Sequence, residues 1–543
     1  MTFTVADALL DQLGEHGVRV CFGVPGVHNL PFWVGAGRGR RPRVVGVRHE
    51  QAAGYAADGA ARATGSLGVA LTTTGPGFAN ALAAFGEAWA SFSPVLLISS
   101  ETPIGPRRRS GHDDGLLHGM RSQADVITYG FGALAVSAQD AAQAVEALPR
   151  LVAHALATGR PVYLGVPADV LASAYAGDVP GQIAHVQPRA GRVEQATPLL
   201  EGHRVVLWLG ARAVAWEEQV AELATRLGAV VVTTYQARGM LARHPGLLDA
   251  PPHEPRAAQV IADADVLLVI GDDLHGMTTR NWTMPVPPVI VAISDDHGSS
   301  LGDYDLAVRL DGPIGATLSE LLGQLGPRSE ESTQSVDIAA VGKAVRDDLG
   351  ADARTASARA FVESVELGWP DAGAVVADMC IAGYWLGGYS RQPRARRLLY
   401  PVGWGTLGYA LPAAIGPAAL GIPTLAVVGD GGAAMGLGEL ATYAQERLPL
   451  ALLVVADGGY GMLRYDQTVA GDPHRGVDLV EPRWDDLAAA YGMKVVRTDD
   501  PGAGLARGLT QARDGLTCGE RWMVVLEAAL FPPRTTSPRW REA

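Results

Sequence analysis

The sequence predicts an α/β protein of three domains, each a mostly parallel sheet covered by helices. Three observations carry that reading. Short apolar runs of strand length alternate with helix-length stretches along almost the whole chain, the pattern of strands buried on both faces. Two stretches break this rhythm and read as linkers: 171–195, with AYAGDVPGQIAHVQPRAG, and 326–358, which opens with the polar GPRSEESTQS. They divide the chain into 1–170, 196–325 and 359–543. The first and third parts also echo one another. GVALTTTGPG, a helical stretch and SPVLLISS parallel TLAVVGDGG, a helical stretch and LPLALLVVAD, with 19 positions from Gly75 to Pro94 and 20 from Gly429 to Pro449. A shared strand, glycine turn, helix, strand unit explains the echo, and two such domains are expected to face each other across one ligand.

In chain order, the predicted strands of the first part are RVCFGV, RVVGV, GVALTTT, PVLLISS and PVYLGV, each ending near Gly, Pro, Ser or Thr. VVLWLG, AVVVTT, DVLLVIG and PVIVAIS follow in the middle, and AVVADM, TLAVVG, ALLVVAD and WMVVLEA in the last part. Leu398 to Gly429 holds no charged residue and is long enough to span a bilayer as a helix. Pro401, Pro412, Pro417 and Pro423 interrupt it, so a buried loop, helix and strand is predicted instead.

Composition bounds the function. A chain of 543 residues, 48% hydrophobic and 19% charged, has the balance of a compact soluble protein. Its net charge of -13, from 57 acids against 44 Lys and Arg, argues against a nucleic-acid or anionic-membrane partner. Cys21, Cys380 and Cys518 lie far apart without a CxxC, which suggests neither a disulfide framework nor a zinc site and fits a reducing cytoplasm. The opening MTFTVADALL lacks the basic flank and apolar core of a signal peptide.

Chemistry enters at GDGG, 429–432. A strand ending in Gly-Asp-Gly and opening a helix brings backbone N–H groups to a ligand, a setting that favours phosphate. Asp430 adds a hard oxygen. Phosphate and carboxylate repel unless a cation joins them, so the physical reading is Mg²⁺ bridging protein and diphosphate. Alone, GDG is also a common strand-end turn. Asp457 lies 27 positions later, at the end of the next strand, where the ligand crevice of a parallel sheet forms. It supplies a second oxygen or, read locally, caps a turn with Gly458.

These residues resemble the thiamine-diphosphate-dependent enzymes of the pyruvate oxidase, acetolactate synthase and 2-oxo-acid decarboxylase group. GDGGAAMGLGELATYAQERLPLALLVVADGGYG is similar to the family's diphosphate motif. By that resemblance Asp430 is the first metal ligand, Asp457 stands for the usual Asn ligand, Gly459 supplies a carbonyl, and Ala456 replaces the first Asn. FGVPG, VRHEQAAGYAADGAARATG and TTTGPGFAN follow the family's order and spacing. They imply that Glu50 contacts the cofactor's aminopyrimidine and favours the tautomer whose nitrogen removes the thiazolium C2 proton. In YPVGWGTLGYALPAAIG, the Gly405 carbonyl is implied to hold the cofactor's amino group and Leu407 to wedge beneath the bent cofactor. Pro25, Gly75, Asn80, Gly429, Gly431, Gly432, Tyr460 and Gly461 complete the implied cofactor contacts. The three parts become a pyrimidine-binding domain, a central Rossmann-like domain and a diphosphate- and Mg-binding domain. The resemblance also implies active sites between subunits of a homodimer or homotetramer.

The implied reaction is decarboxylation of a small-molecule 2-oxo acid through an enamine, released as an aldehyde or ligated to a second carbonyl. An acetolactate-synthase-like carboligase and a catalytically silent relative are the alternatives. Val27 and Leu463 occupy positions where simple pyruvate decarboxylases carry acids, and their His-His pair is not evident. The loop GHDDGLLHGMRSQ, 111–123, is instead similar to acetolactate-synthase-like proteins and to the decarboxylase acting on the 2-oxo acid of arginine, with Ser122 in place of an Asp. His118 and Gln123 are expected to bind substrate or donate a proton, or else only to order the loop. His28 in GVHN and Asp466 join Val27 and Leu463 as substrate-pocket candidates; an Asp466 facing the pocket implies a cationic or hydrogen-bond-donating substrate. VVLWLGARAV and LLVIGDDLHG fit a nucleotide-type fold without a fingerprint, so FAD is left open and is not predicted.

Overall fold

The computed structural model describes residues 2–105, 118–120, 122–183, 192–295, 301–302, 304–326, 336–369 and 373–533. Most of the 111–123 loop therefore lies outside the described residues, but His118, Ser122 and Gln123 lie within them. Among the described residues, no helix is long and apolar enough to cross a membrane.

Three parallel sheets organise the chain. The first contains β1 (Val20–Gly23), β2 (Arg43–Gly46), β3 (Gly68–Thr72), β4 (Val95–Glu101), β5 (Ala135–Ser137) and β6 (Val162–Pro167), in the order β2-β1-β3-β4-β6-β5. The second has β7 (Val205–Leu209), β8 (Val230–Thr233), β9 (Val266–Ile270), β10 (Val289–Ser294) and β11 (Val308–Asp311), ordered β11-β10-β9-β7-β8. The third holds β12 (Ala374–Ala377), β13 (Leu398–Leu399), β14 (Thr424–Gly429), β15 (Leu450–Val455), β16 (Lys494–Thr498) and β17 (Trp522–Leu526), ordered β13-β12-β14-β15-β17-β16. With β12 in the place of β1, the third order repeats the first strand for strand. The letter-level echo is thus a shared topology.

Every strand expected from the sequence forms. Among the described residues, the four that were not expected, β5, β11, β13 and β16, all lie at sheet edges. An edge strand is short or only half covered, so it lacks the continuous apolar run that marks a central strand. β16 reads KVVRT and buries no residue fully, whereas every residue of β15 is buried. Leu398–Gly429 forms β13, a loop, the helix Ala410–Ala419 and β14, as expected.

The polar stretch 326–358, expected as a linker, contains the helix Ile338–Ala351, capped by the Asp337 side chain on the N–H of Ala340. Ile338 and Val345 are buried with Ala257 and Ile261 against the second sheet. Only one narrow face of this helix is apolar, which hides it within a charged sequence.

The helix Glu50–Thr64 of the first domain crosses Ala410–Ala419 of the third at backbone contact. A Cβ at Gly59 would lie 2.1 Å from the Ala413 carbonyl oxygen, and one at Gly416 2.2 Å from that of Ala56. Beside this crossing a guanidinium is buried with two acids. Arg62 Nη1 lies 3.4 Å from Asp58 and 3.6 Å from Glu87, Nη2 donates to the Tyr400 carbonyl at 2.6 Å, and the Tyr409 hydroxyl donates to Asp58 at 2.6 Å. Burial pushes the Glu87 carboxyl up to about 7 against the opposing pull of Arg62. Glycine contact and buried charge together hold the two motif-bearing domains against each other.

Candidate active site

At the carboxyl ends of β12, β14 and β15 the third domain opens a cavity of about 130 Å³. Three helices begin on its wall: Ile381–Tyr389, Asp430–Gly436 and Gly461–Ala470. Ile381, Ala382, Gly431, Gly432, Gly461 and Met462 line it, so first-turn N–H groups of all three helices border one space. Unpaired first-turn N–H groups and aligned helix dipoles favour an anion there.

Asp430 is buried, accepting from the N–H of Gly431 at 2.8 Å and from that of Gly458 at 2.7 Å. Asp457 stands at the end of the neighbouring strand, its Oδ2 2.2 Å from where a Cβ on Gly461 would be. Burial and the charge of Asp430 push the Asp457 carboxyl up to about 6, with Arg464 pulling the other way. The Gly459 carbonyl oxygen faces Gly431, 3.2 Å from that residue's Cβ position. Gly458 and Gly459 take φ of 84° and 150°, and a Cβ at Gly459 would lie 2.0 Å from the Val477 carbonyl, so glycine is required for this turn. Two carboxylates that repel each other beside a main-chain carbonyl form a donor set suited to a hard cation. Among the described residues no group of three or more His, Cys, Asp or Glu could hold a metal, so a cation here depends on the carbonyl and on ligand oxygens.

In the first domain the turn after β3 gathers the other expected residues. Glu50 opens its helix and accepts from the Asn80 side-chain amide at 3.0 Å; its Oε1 lies 3.2 Å from the Cβ position of Gly77. Asn80, expected on the cofactor, thus also orients Glu50. Gly75 has φ 65°, and a Cβ there would lie 2.5 Å from the His118 carbonyl oxygen. His118 has φ 62° and meets His28 edge to face, with ring centroids 5.8 Å apart. His28 Nδ1 lies 2.8 Å from Thr74 Oγ1, whose hydroxyl donates to Ser100 Oγ at 3.2 Å. Burial, and then the neighbouring His118, hold the His28 imidazole below its usual range. Two separate loops bring these rings together.

Gln123 opens the helix Gln123–Phe131. It is buried, accepting from the Gly75 N–H at 2.9 Å and donating to the Tyr163 hydroxyl at 2.7 Å, the Ser100 carbonyl at 3.2 Å and Ser99 Oγ at 3.3 Å. Its carboxamide is enclosed by these protein partners and holds the Gly75 turn.

The first-domain group and the cavity remain separate surfaces within one chain, since every residue lining the cavity belongs to 379–463 or is Leu530. Leu407, Gly429, Tyr460 and Leu463 do line it, Leu463 being 49% exposed. Gly405 is exposed at the rim, as are Pro25 and Val27 on the first domain. Asp466 is not on the cavity wall, but its charge adds to burial in raising the phenol pKa of Tyr384, which is. Met379, Cys380, Ile381, Ala382 and Tyr384 were not expected at the site: ADM was read only as a strand end. The one available signal was its position, because the strand ends where its neighbour β14 delivers Asp430.

Family models match in chain order: the thiamine pyrophosphate enzyme N-terminal TPP binding domain over residues 3–125, the central domain over 193–321 and the C-terminal TPP binding domain over 378–525. The chain is 33% identical over 528 residues to a probable 2-ketoarginine decarboxylase of Pseudomonas aeruginosa, covering 92% of this chain and 90% of that protein. It is 30% identical over 536 residues to the acetolactate synthase large subunit of Mycobacterium tuberculosis, covering 91% and 84%. Its fold is similar to that of a thiamine diphosphate-dependent 4-hydroxybenzoylformate decarboxylase of Rhodococcus jostii, with a TM-score of 0.77, 20% identity and coverage of 97% and 99%. The Glu50 helix lies in the matched N-terminal domain and the glycine turn that carries Asp430 in the matched C-terminal domain, and the chain belongs to the thiamine pyrophosphate enzyme family.

Proposed function

We propose that this protein decarboxylates a 2-oxo acid with thiamine diphosphate and Mg²⁺ and releases the product mainly as an aldehyde. The cofactor, when bound, supplies the electron sink for the pair left behind as carbon dioxide departs. Glu50, oriented by Asn80, holds the pyrimidine end. Asp430, Asp457 and the Gly459 carbonyl hold Mg²⁺, helix N–H groups hold the diphosphate, and Leu407 keeps water from the buried face. The domains are 1–170, 196–325 and 359–543. The separation of the Glu50 surface from the cavity supports a homodimer or homotetramer in which one copy's first domain closes another's cavity. The cysteine usage and acidic surface fit a cytoplasmic protein, and no flavin enters the reading.

The single observation that favours aldehyde release is the His28–His118 pair beside the Glu50 turn, a proton source and acceptor where the product must be protonated. The 2-ketoarginine decarboxylase resemblance favours a substrate with a cationic or hydrogen-bond-donating end. Carboligation uses the same first half of the reaction and competes at the last step.

The test is incubation of the purified protein with thiamine diphosphate, Mg²⁺ and a panel of 2-oxo acids, guanidino and apolar, with and without an aldehyde acceptor. Carbon dioxide with free aldehyde is expected, and His28→Ala is expected to lower its release about a hundredfold. A hydroxyketone or acetohydroxy acid as the main product assigns a carboligase; no turnover of any donor assigns a silent member.

A further inference from the structure

Asp378 follows β12 and is fully buried; among the described residues it forms no ion pair, and backbone N–H donors oppose its desolvation. Oδ1 accepts from Met379 at 2.8 Å and from Gly408 at 3.0 Å, with Tyr409 N at 3.4 Å; Oδ2 also lies 3.1 Å from Gly408 N. Oδ2 is 2.8 Å from the Cβ position of Gly432, so the carboxylate packs directly on the turn that carries Asp430. Its carbonyl accepts from Cys380 N at 2.9 Å, and its own N–H donates to Val427 of β14 at 2.9 Å.

A buried carboxylate without a counter-ion is costly, and a small apolar residue at a strand end avoids that cost. What the acid contributes is a junction. The segments it touches each deliver part of the cavity wall: Met379 and Cys380 lead into the helix at Ile381, Gly408 follows Leu407, and Gly432 sits in the first turn after Asp430. Charge-assisted bonds from one carboxylate join the 378–380 segment to 408–409, and the same group packs on the Gly432 turn.

We propose that Asp378 is a positioning residue that sets the Leu407 loop against the diphosphate turn, acting on the cofactor through the backbone it holds. It rests on the reading of the cavity as the thiamine diphosphate site only for its effect on the cofactor; the junction itself does not depend on that reading.

Hydrogen exchange of the cofactor-free full chain separates the two. In Asp378→Asn, which places an amide donor against N–H groups, peptides covering 404–410 and 430–433 are expected to exchange about tenfold faster or more, with β14 and β15 unchanged. Unchanged exchange at 404–410 overturns the proposal. Thiamine diphosphate with Mg²⁺ is then titrated by intrinsic fluorescence. The dissociation constant is expected to rise about tenfold and kcat at saturating cofactor to fall, while KM for the 2-oxo acid is unchanged. A rise in KM alone overturns the positioning role. If wild type fails to bind the cofactor, the proposed function falls while the exchange result still decides the junction. If Asp378→Asn does not fold, Gly432→Ala, whose methyl meets Asp378 Oδ2, is expected to speed exchange at Gly408 and Tyr409, and its failure to do so overturns the proposal.

Discussion

The side-chain amide of Asn80 donates a 3.0 Å hydrogen bond to Glu50 Oε2. The pair joins the first turn of one helix to the end of the next glycine turn, so the carboxylate is aimed before any ligand arrives. Glu50→Gln keeps this shape but loses the proton-holding carboxyl. It is expected to lower kcat/KM about 10²–10⁴-fold with little change in cofactor affinity, whereas Asn80→Ala costs about tenfold. Steady-state kinetics at saturating cofactor, paired with a cofactor titration, check both; unchanged turnover in Glu50→Gln removes its assigned role.

Asp457 carries a pH signature. An acid raised in the folded state from 3.8 to about 6 stabilises the fold fully while protonated in both states, and that stability is lost as pH rises through about 6. Metal-free protein is therefore expected to melt at progressively lower temperature from about pH 4 to about pH 6 on account of this group. Asp457→Asn flattens that part of the slope. Mg²⁺ with thiamine diphosphate is expected to raise the melting temperature more at pH 7 than at pH 5, because the ligand oxygens must be deprotonated. An identical slope in the Asn variant counts against the coupling of Asp457 to Asp430. Asp457→Ala is expected to weaken cofactor binding about tenfold or more.

Two glycines on helices predict opposite outcomes. A methyl at Gly59 meets the Ala413 carbonyl at 2.1 Å, so Gly59→Ala is expected to destabilise by about 1–3 kcal/mol through the contact between the first and third domains. Gly130, in the helix Gln123–Phe131, has nothing within 4 Å of its Cβ position. Gly130→Ala is expected to stabilise by about 0.4–1 kcal/mol. Denaturant melts of the two variants decide the point, and equal stabilities contradict the close helix crossing.

Removing Arg62 strands buried acids. Asp58 and Glu87 share its guanidinium at 3.4 and 3.6 Å, and Arg62→Met is expected to cost about 3–5 kcal/mol. With that charge gone, the Glu87 carboxyl favours protonation, so the loss is expected to shrink as pH falls below about 7. A pH series of thermal melts reads this directly, and a loss that grows on acidification contradicts the assignment.

Much of the site was legible because it is local. GDGG and ADGG each place an acid at the end of an apolar run, and the fold sets those ends on neighbouring strands with Gly429 paired to Val455. Gln123 shows where this legibility stopped. The sequence left it either on the substrate or ordering the loop; four protein groups enclose it, and only packing reveals which groups a carboxamide meets. His28 and His118 were separate candidates: no spacing joins them, yet two loops bring their rings together. Asp378 read as the last letter of a strand and became the junction of three segments.

The sequence by itself determined what period and local chemistry encode: three helix-covered sheets, the duplicated strand unit, the glycine turns and the two acids that mark a phosphate and cation site. Tertiary structure alone decided the edge strands, the helix concealed in the polar stretch, the orientation of Gln123, the His28–His118 meeting and the reach of Asp378. The physical reason is range. Hydrophobic period and glycine conformation act within a few residues, whereas burial, mutual charge and hydrogen-bond partnership depend on segments hundreds of positions apart, such as Asp58 and Tyr409, that meet only once the chain has folded.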